Sequence, residues 1–278
     1  ISGCTPIYDR PPAVLGGIQV GNLVEARHYL YPLDHFMVWD VDNVPVDFSV
    51  DLKDQFMVAE GPFHLGRIDH LANPASKDDP EFQDVWPYDP DHHLLWYKLD
   101  QGMGDCRRTT IANQFGEQVL ELKGNPDYLL VPARKDLHAI PKNLDHFLCY
   151  KVLNQVSIDM PQFLMDQFQP VMRTIRQAKY FCNPVRKVRN TIVTPIENPT
   201  EHLVFYRIEN GPTIARTATV DDQFVDLQQV TARQLLYLGV PSDKLTWESA
   251  ECIPVGACCA ADNQCTQVPE AECKKLGK

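Results

Sequence analysis

The stretch that decides the fold is LDHFMVWDV, residues 33–41, because the chain repeats it three more times. The related stretches are HHLLWYKL (92–99), NLDHFLCYKV (143–152) and EHLVFYRI (201–208). Each contains a histidine followed four places later by an aromatic residue: His35 and Trp39, His93 and Tyr97, His146 and Tyr150, His202 and Tyr206. The 278-residue chain therefore contains four diverged copies of one unit of about 57 residues.

Two further landmarks follow each histidine in the same order. The first is an Asp/Asn-Gln-Phe segment: Asp54-Gln55-Phe56, Asn113-Gln114-Phe115, Asp166-Gln167-Phe168 and Asp222-Gln223-Phe224. The second is a proline followed three places later by a lysine: Pro74 and Lys77, Pro132 and Lys135, Pro184 and Lys187, Pro241 and Lys244. Three landmarks in one order, four times over, indicate a real internal repeat.

The pattern within each copy predicts an all-β fold. The histidine stretches are rich in aromatic and branched residues. Apolar side chains occupy both the odd and the even positions, which is typical of a strand buried on both faces. A charged residue then appears five places after each histidine: Asp40, Lys98, Lys151 and Arg207. The apolar runs before the prolines also predict strands, which we expect the prolines to end. Short stretches such as Thr231 to Leu236 remain compatible with a helical turn.

The copies suggest a division of the chain into four parts. Copies 1 and 2 predict one β-rich unit, residues 31–141, and copies 3 and 4 predict a second, residues 142–245. Residues 1–30 match no copy and form an N-terminal arm. Residues 246–278 hold five of the nine cysteines and predict a separate, disulfide-rich tail.

Aligning the copies predicts a disulfide between Cys149 and Cys182. Cys149 comes three residues after its histidine, and Cys182 comes two residues before its proline. The same two positions hold Val38 with Ala72, Trp96 with Leu130, and Phe205 with Gly239. Cysteine is present at both positions or at neither, as expected of a bonded pair, although two independently buried thiols are the alternative.

The cysteine content favours an oxidising, extracytosolic location. Zinc is the alternative for the tail, but structural zinc sites usually contain C-x2-C pairs, and the sequence has none. Because nine is odd, at least one thiol is expected to be free or bonded to another chain. We expect one tail cysteine to pair with Cys4 or Cys106. The start at Ile1 suggests a processed N-terminus.

The third copy, H-F-x-C-Y-K-V, then D-Q-F, then L-C-N-P-V-x-K, resembles a secreted bacterial domain of unknown function found in tandem in environmental species. The resemblance is closest over residues 146–187 and extends more weakly over residues 33–244. The family's cysteines correspond here to Cys149 and Cys182 alone. The tail stretch GACC, residues 256–259, resembles a short cysteine-rich module near the ends of large secreted bacterial proteins. Both resemblances imply secretion, and neither implies a catalytic role.

Charge excludes one class of partner and distinguishes the two predicted units. The net charge of −11 argues against nucleic acid, since phosphate binding needs clustered lysine and arginine. Residues 31–141 carry a net charge of −11, whereas residues 142–245 carry +2. No apolar run approaches the roughly 18 residues that a membrane-spanning helix needs, so no membrane span is predicted.

No cofactor, metal or catalytic residue is predicted. The four histidines occupy equivalent places in different copies, which favours hydrogen-bonded structural histidines over convergent metal ligands. The acidic stretch Asp78, Asp79, Glu81, Asp84, Asp89 and Asp91 could hold calcium, but its spacing fits a solvated loop better. Nucleophile elbows, zinc-binding H-E-x-x-H and nucleotide loops are missing from the sequence.

The sequence favours a non-enzymatic extracellular protein that assembles with copies of itself into a filament, sheath or surface layer. The apolar residues of the arm could add to the open sheet edge of a neighbouring copy, or they could pack on their own first unit. Two alternatives remain open. One is a secreted module that binds polysaccharide or another surface through exposed aromatics such as Trp86, Tyr88 and Trp96, and the other is a hydrolase of unrecognised type.

Overall fold

A computed structural model of the chain describes residues 33–57, 60–77, 87–100 and 105–251, together with the backbone of residues 255–259 and 265–269. These residues form strands and connecting segments, so the all-β prediction is confirmed. None of the described segments is a helix that could cross a bilayer. The strands are β1 (His35–Lys53), β2 (Gly61–Lys77), β3 (His93–Leu99), β4 (Cys106–Asn113), β5 (Gly116–Leu122), β6 (Tyr128–Lys135), β7 (Phe147–Lys151), β8 (Met160–Met165), β9 (Pro170–Pro184), β10 (Arg186–Arg189), β11 (Ile192–Thr194), β12 (His202–Ile208), β13 (Thr213–Asp221), β14 (Gln228–Ala250), β15 (Val255–Cys259) and β16 (Cys265–Pro269).

Eight strands close into a ring. In each copy a histidine strand (β1, β3, β7 or β12) pairs antiparallel with the proline strand of the same copy (β2, β6, β9 or β14). Each proline strand also pairs with the next histidine strand, and β14 pairs back with β1. The predicted units 31–141 and 142–245 are therefore not separate in the structure. A division between them would cut the β6–β7 and β14–β1 ladders of one closed sheet.

The register is the same at all four seams between copies. The residue two places before each proline pairs with the residue that follows the next histidine: Ala72 with Leu94, Leu130 with Phe147, Cys182 with Leu203, and Gly239 with Phe36. The seam that closes the ring therefore matches the three that precede it, and the sheet has approximate fourfold symmetry.

Three of the four repeated prolines do not end their strands, contrary to the sequence-based expectation, whereas Pro184 is the last residue of β9. Pro74, for example, pairs with Phe36 on β1, and β2 continues to Lys77. On its other side the pairing with β3 stops at Ala72 and Leu94, two places earlier. Proline donates no backbone hydrogen bond, so it is tolerated where one side of a strand lacks a neighbour. The other three prolines lie at the same point relative to their seams.

Apolar cores lie on both faces of the ring sheet. The inner core contains side chains from the ring strands: Phe36, Val38, Ala72, Leu94, Trp96, Tyr128, Leu130, Phe147, Cys149, Cys182, Leu203 and Phe205, with Leu144 from a loop. The larger outer core includes the alternate residues of the same strands, and all four Asp/Asn-Gln-Phe phenylalanines lie within it or pack against it. Burial on both faces explains why the histidine strands are apolar at both parities.

The ends of the two longest strands carry hairpins outside the ring. The end of β1 pairs with β10 of the β10–β11 hairpin, and the end of β14 pairs with β4 of the β4–β5 hairpin. Residues 231–236, where a helical turn was considered, lie within β14. Residues 246–250, assigned to the tail by sequence, also belong to β14, and β15 and β16 form a separate two-stranded sheet.

Candidate functional site

Each Asp/Asn-Gln-Phe segment is a tight turn that docks onto other copies. In all four, the first side chain accepts a hydrogen bond through Oδ1 from the backbone N–H of the phenylalanine: Asp54 from Phe56 (2.9 Å), Asn113 from Phe115 (2.9 Å), Asp166 from Phe168 (2.8 Å) and Asp222 from Phe224 (2.7 Å). Asp and Asn side chains both favour this turn, which explains why both occur at this position. We call the four docked turns junctions 1 to 4, numbered by the copy that supplies the turn.

Each phenylalanine packs against the aromatic landmark of the copy two places away around the ring. The ring centroids lie 5.2 Å apart for Phe56 and Tyr150, 5.0 Å for Phe115 and Tyr206, 5.6 Å for Phe168 and Trp39, and 5.2 Å for Phe224 and Tyr97. The polar atom of each aromatic residue also bonds to the first residue of the turn, at 2.7 to 3.0 Å. Copies 1 and 3, and copies 2 and 4, therefore exchange turns across the ring.

The preceding copy supplies a histidine and a lysine to each junction. Glutamine and histidine side chains bond in three of them: Gln114 with His35 (2.9 Å), Gln167 with His93 (3.3 Å) and Gln223 with His146 (2.7 Å). In junction 1, Gln55 instead donates to the carbonyl of Pro199 (2.6 Å). The lysine amine lies over the phenylalanine ring in three junctions: Lys135 over Phe168 (4.4 Å), Lys187 over Phe224 (5.5 Å) and Lys244 over Phe56 (4.9 Å). All three repeated landmarks thus meet at the junctions.

Burial keeps three of the junction histidines neutral. It lowers the pKa of His93 to about 2 and that of His202 to about 3, and nearby lysines act in the same direction. The pKa of His146 is also well below its usual value, again because of burial. Among the described residues, no three His, Cys, Asp or Glu side chains converge as a metal site. All four histidines are hydrogen-bonded: His35, His93 and His146 to glutamine side chains, and His202 to the carbonyl of Thr200.

Burial also shifts the pKa of three junction acids and of three junction lysines. It raises the pKa of Asp54, Asp166 and Asp222 above the usual value for aspartate. Burial lowers the pKa of each of three lysines, Lys135, Lys187 and Lys244, to about 8. A buried amine with so low a pKa is partly unprotonated near neutral pH, which makes it a potential nucleophile.

Junctions 1 and 3 contain an asparagine that the other two lack. Asn73 and Asn183 come directly before the prolines of copies 1 and 3 and are fully buried. Each joins the lysine of its junction to the aspartate through its amide group. Copies 2 and 4 have Val131 and Val240 at the same position. This difference is visible in the aligned sequences, but its meaning depends on contacts between copies that the sequence alone does not reveal.

The predicted disulfide lies in the inner core. Cys149 on β7 and Cys182 on β9 are bonded, with an S–S distance of 1.97 Å, and both are fully buried. The two residues are direct cross-strand partners, as are the residues at the same positions in the other copies: Val38 and Ala72, Trp96 and Leu130, Phe205 and Gly239. Cys106, buried at the start of β4, is also disulfide-bonded.

Four aromatic side chains, four places before each proline, surround Trp96 at one end of the ring. We call them the collar: His70, Tyr128, Tyr180 and Tyr237. Neighbouring members of the collar lie 5.5 to 5.9 Å apart and form a complete circuit. Tyr180 and Tyr237 are partly exposed, and their cross-strand partners are the exposed cations Lys151 and Arg207. The collar was not predicted, although its members share one position in the aligned copies.

The remaining predicted candidates divide into buried, exposed and undescribed residues. Trp96 is fully buried, so its expected role as an exposed aromatic is wrong, whereas Tyr88 is 59% exposed. Trp86 and the acidic residues 78–84 lie outside the described residues, as do the arm and the side chains of the tail. Of the acidic stretch, for which a solvated loop was expected, Asp91 bonds to the ring of His138 and accepts from the backbone N–H of Ala139.

These features define a class of protein: a closed antiparallel sheet of four copies, interlocked by turns that the copies exchange. Comparison with known families places the chain more closely. The family described as "Repeat of unknown function (DUF7450)" matches residues 93–246, which span copies 2 to 4, and the chain belongs to that family. No curated protein and no solved structure matches the chain.

Proposed function

We propose that this protein is a non-enzymatic, secreted structural protein that assembles with copies of itself through an open strand edge. The observation that carries the proposal is β11, the short outer strand of the β10–β11 hairpin, whose outer edge pairs with no other strand in the part of the chain that the structure describes. The repeated histidines, lysines and Asp/Asn-Gln turns support a structural role indirectly, because they contact one another at the junctions and hold the ring together. The disulfide between Cys149 and Cys182 supports an oxidising, extracellular location.

The geometry of the hairpin directs one backbone unit of β11 outward. Asn190 and Thr191 form the two-residue turn, and both have positive φ (49° and 69°), as in a type I′ hairpin. Arg189 and Ile192 therefore form the hydrogen-bonded pair that closes the turn. In an antiparallel ladder the next pair is not hydrogen-bonded. Val193 thus directs its N–H and C=O away from β10, towards the open edge.

β11 is short and is followed by Pro195, but the strand itself lacks the charged residues that commonly protect an edge strand. Its residues, Ile192, Val193 and Thr194, carry no charge, and the two apolar side chains are 71% and 49% exposed. Soluble proteins commonly protect such edges with charged residues or proline, because an unprotected edge pairs with other strands. An uncharged, exposed edge is suited to intended pairing.

The occupant that we propose for this edge is the N-terminal arm of a second copy. The arm has apolar residues that belong to none of the four copies: Ile7, Tyr8, Val14, Leu15, Ile18, Val20, Leu23 and Val24. A strand added to an open edge satisfies its own backbone groups and those of the edge. Because the arm and the edge are different surfaces of one chain, the contact continues from copy to copy and produces filaments unless it closes into a ring.

Light scattering on purified full-length protein tests this proposal. The double substitution Ile192→Lys/Val193→Lys should leave folded monomer, and so should deletion of residues 1–30. The matched control is Leu137→Lys/Ile140→Lys, which changes two other exposed apolar residues, 103% and 67% exposed. The control should assemble like the unmodified protein. Monomer at high concentration in the unmodified protein, or assembly in both altered proteins, would reject the proposal.

The collar supports a second candidate function, the binding of an acidic polysaccharide. Tyr180 and Tyr237 offer partly exposed aromatic faces, and Lys151 and Arg207 place positive charges beside them. Aromatic faces suit sugar rings, and the cations suit carboxylates. Titration with polygalacturonate should show binding that Lys151→Gln/Arg207→Gln weakens and Arg134→Gln/Arg216→Gln does not. No binding, or equal weakening by both pairs, would reject this candidate.

A further inference from the structure

Junction 3 brings an amine, a primary amide and a carboxyl group together in a buried site. Lys135 Nζ donates to Asn73 Oδ1 (3.2 Å), and Asn73 Nδ2 donates to Asp166 Oδ2 (3.0 Å). The exposed fractions of these side chains are small: 1% for Lys135, 0% for Asn73 and 8% for Asp166. Lys135 Nζ lies 4.4 Å from the centre of the Phe168 ring, and Trp39 Nε1 donates to Asp166 Oδ2 (2.7 Å).

Junction 1 repeats the arrangement with different residues. Lys244 Nζ donates to Asn183 Oδ1 (3.0 Å), and Asn183 Nδ2 donates to Asp54 Oδ2 (2.8 Å). Tyr150 donates to the same carboxyl oxygen (3.0 Å), as Trp39 does in junction 3. The same Lys-Asn-Asp geometry occurs twice, at equivalent places in the ring, which indicates that the two groups have the same chemical role.

We propose that each of these lysines forms an isopeptide bond with its asparagine, so that the folded chain carries Lys135–Asn73 and Lys244–Asn183 cross-links. The unprotonated amine attacks Cγ of the asparagine, and the new Nζ–Cγ bond replaces the Cγ–Nδ2 bond. The aspartate accepts a proton from the attacking amine and returns it to Nδ2, which leaves as ammonia. No oxidant or other reactant is needed, and the aspartate is regenerated.

The surrounding groups suit each step of this reaction. Burial lowers the pKa of both lysines to about 8, so that an appreciable fraction of each amine is unprotonated at neutral pH. In junction 3, Gln167 Nε2 also donates to Asn73 Oδ1 (3.3 Å), where negative charge develops in the tetrahedral intermediate. A cavity of about 70 Å³, lined in part by Asp166 and Gln167, offers space for the departing ammonia.

The other two junctions provide internal controls. In junction 4, Lys187 is buried and has a pKa lowered to about 8, and Asp222 lies close to it, but Val131 occupies the position of the asparagine. In junction 2, Val240 occupies that position and Asn113 replaces the aspartate. The chain should therefore contain two cross-links rather than four.

Intact mass spectrometry of the denatured, reduced full-length protein tests the inference. Each bond releases one ammonia, so the mass should be about 34 Da below the sequence mass, or about 17 Da per bond. Asn73→Val, which copies junction 4, and Asp166→Asn should each remove one of the two deficits. Lys187→Arg should keep both.

Peptide mapping distinguishes the cross-link from other losses of ammonia. Digestion should give branched peptides that join residues 73 and 135, and residues 183 and 244. Cyclisation onto the next backbone nitrogen is disfavoured here, because proline follows both asparagines. A full sequence mass, or a deficit carried only by linear peptides, would overturn the proposal. Neither result depends on whether the protein assembles, so this test and that of the proposed function can fail separately.

Discussion

The ring of Phe205 occupies the space that a side chain on its cross-strand partner Gly239 would need. A Cβ added to Gly239 would lie 2.5 Å from a ring carbon of Phe205 and 3.1 Å from Cβ of Phe36. The four equivalent pairs in the inner core differ in composition: Phe with Gly, Trp with Leu, Cys with Cys, and Val with Ala. The two members of each pair therefore differ in size from copy to copy, while all four pairs line one closed interior.

Gly239→Ala should destabilise the protein by about 1–3 kcal/mol, because the new methyl group overpacks the inner core. Urea denaturation followed by tryptophan fluorescence measures this loss. Gly61→Ala is the matched control, since a Cβ there meets nothing within 4 Å, and its effect should stay within about 0.5 kcal/mol. Equal stability of the two variants would contradict the packing described for the inner core.

Cys149→Val/Cys182→Ala should fold but lose stability. This pair reproduces Val38 and Ala72, which occupy the same positions in copy 1, so the substitution preserves a packing that the ring already uses. The bond joins residues 33 positions apart, and its loss should lower the free energy of unfolding by about 3–4 kcal/mol. A comparable loss on selective reduction of this bond would confirm the cause. A variant as stable as the unmodified protein would show that the bond contributes little.

Junction 4 should tolerate asparagine but not alanine at its first position. Asp222→Asn retains the bond to the backbone of Phe224, as Asn113 does in junction 2, and should change the stability by less than about 1 kcal/mol. Asp222→Ala leaves Tyr97 Oη and the turn without their acceptor and should lower stability by about 2–4 kcal/mol. Thermal unfolding of the two variants provides the comparison. If alanine and asparagine behave alike, the turn does not hold the junction.

Glu201 should make the protein less stable as the pH rises. Burial, followed by repulsion from Asp145, raises the pKa of Glu201 to about 8. The folded chain therefore keeps a proton that the unfolded chain loses above its ordinary pKa near 4.5. The stability from this group is present below about pH 4.5 and declines up to about pH 8.

Urea midpoints at pH 5.5 and 8, measured for the unmodified protein and for Glu201→Gln, isolate this contribution. The difference between the two proteins should shift in favour of the variant at the higher pH, because glutamine cannot lose a proton. Other titrating groups are common to both proteins and largely cancel in the comparison. A difference that does not change with pH would contradict the assignment.

The copies, the β class and the cysteine pair could be predicted from the sequence because each depends on local pattern or on paired presence across the alignment. Val38 and Ala72 occupy the positions of Cys149 and Cys182, and both pairs proved to be cross-strand neighbours. That agreement shows that comparing copies within one chain can reveal strand register. The apolar residues at both odd and even positions of the histidine strands also correctly indicated burial on two faces.

Closure of the ring and the exchange of turns could not be predicted, because both depend on which copies meet in space. Phe56 belongs to copy 1 and packs on Tyr150 of copy 3, and nothing local in either segment specifies that partner. The sequence similarity of copies 1–2 to copies 3–4 suggested two tandem units for the same reason. Two features of the sequence could have indicated a closed ring: the even number of copies, and strands in each copy that are apolar on both faces.

Hydrogen exchange at the amide of Val193 tests the proposed assembly most directly. In an isolated molecule this N–H points away from β10 and should exchange rapidly. The protection of the Val193 amide should rise with protein concentration and disappear when residues 1–30 are deleted. The amides within the ring strands should stay protected throughout. Rapid exchange at every concentration, in a protein that nevertheless assembles, would show that copies join elsewhere and would contradict the account.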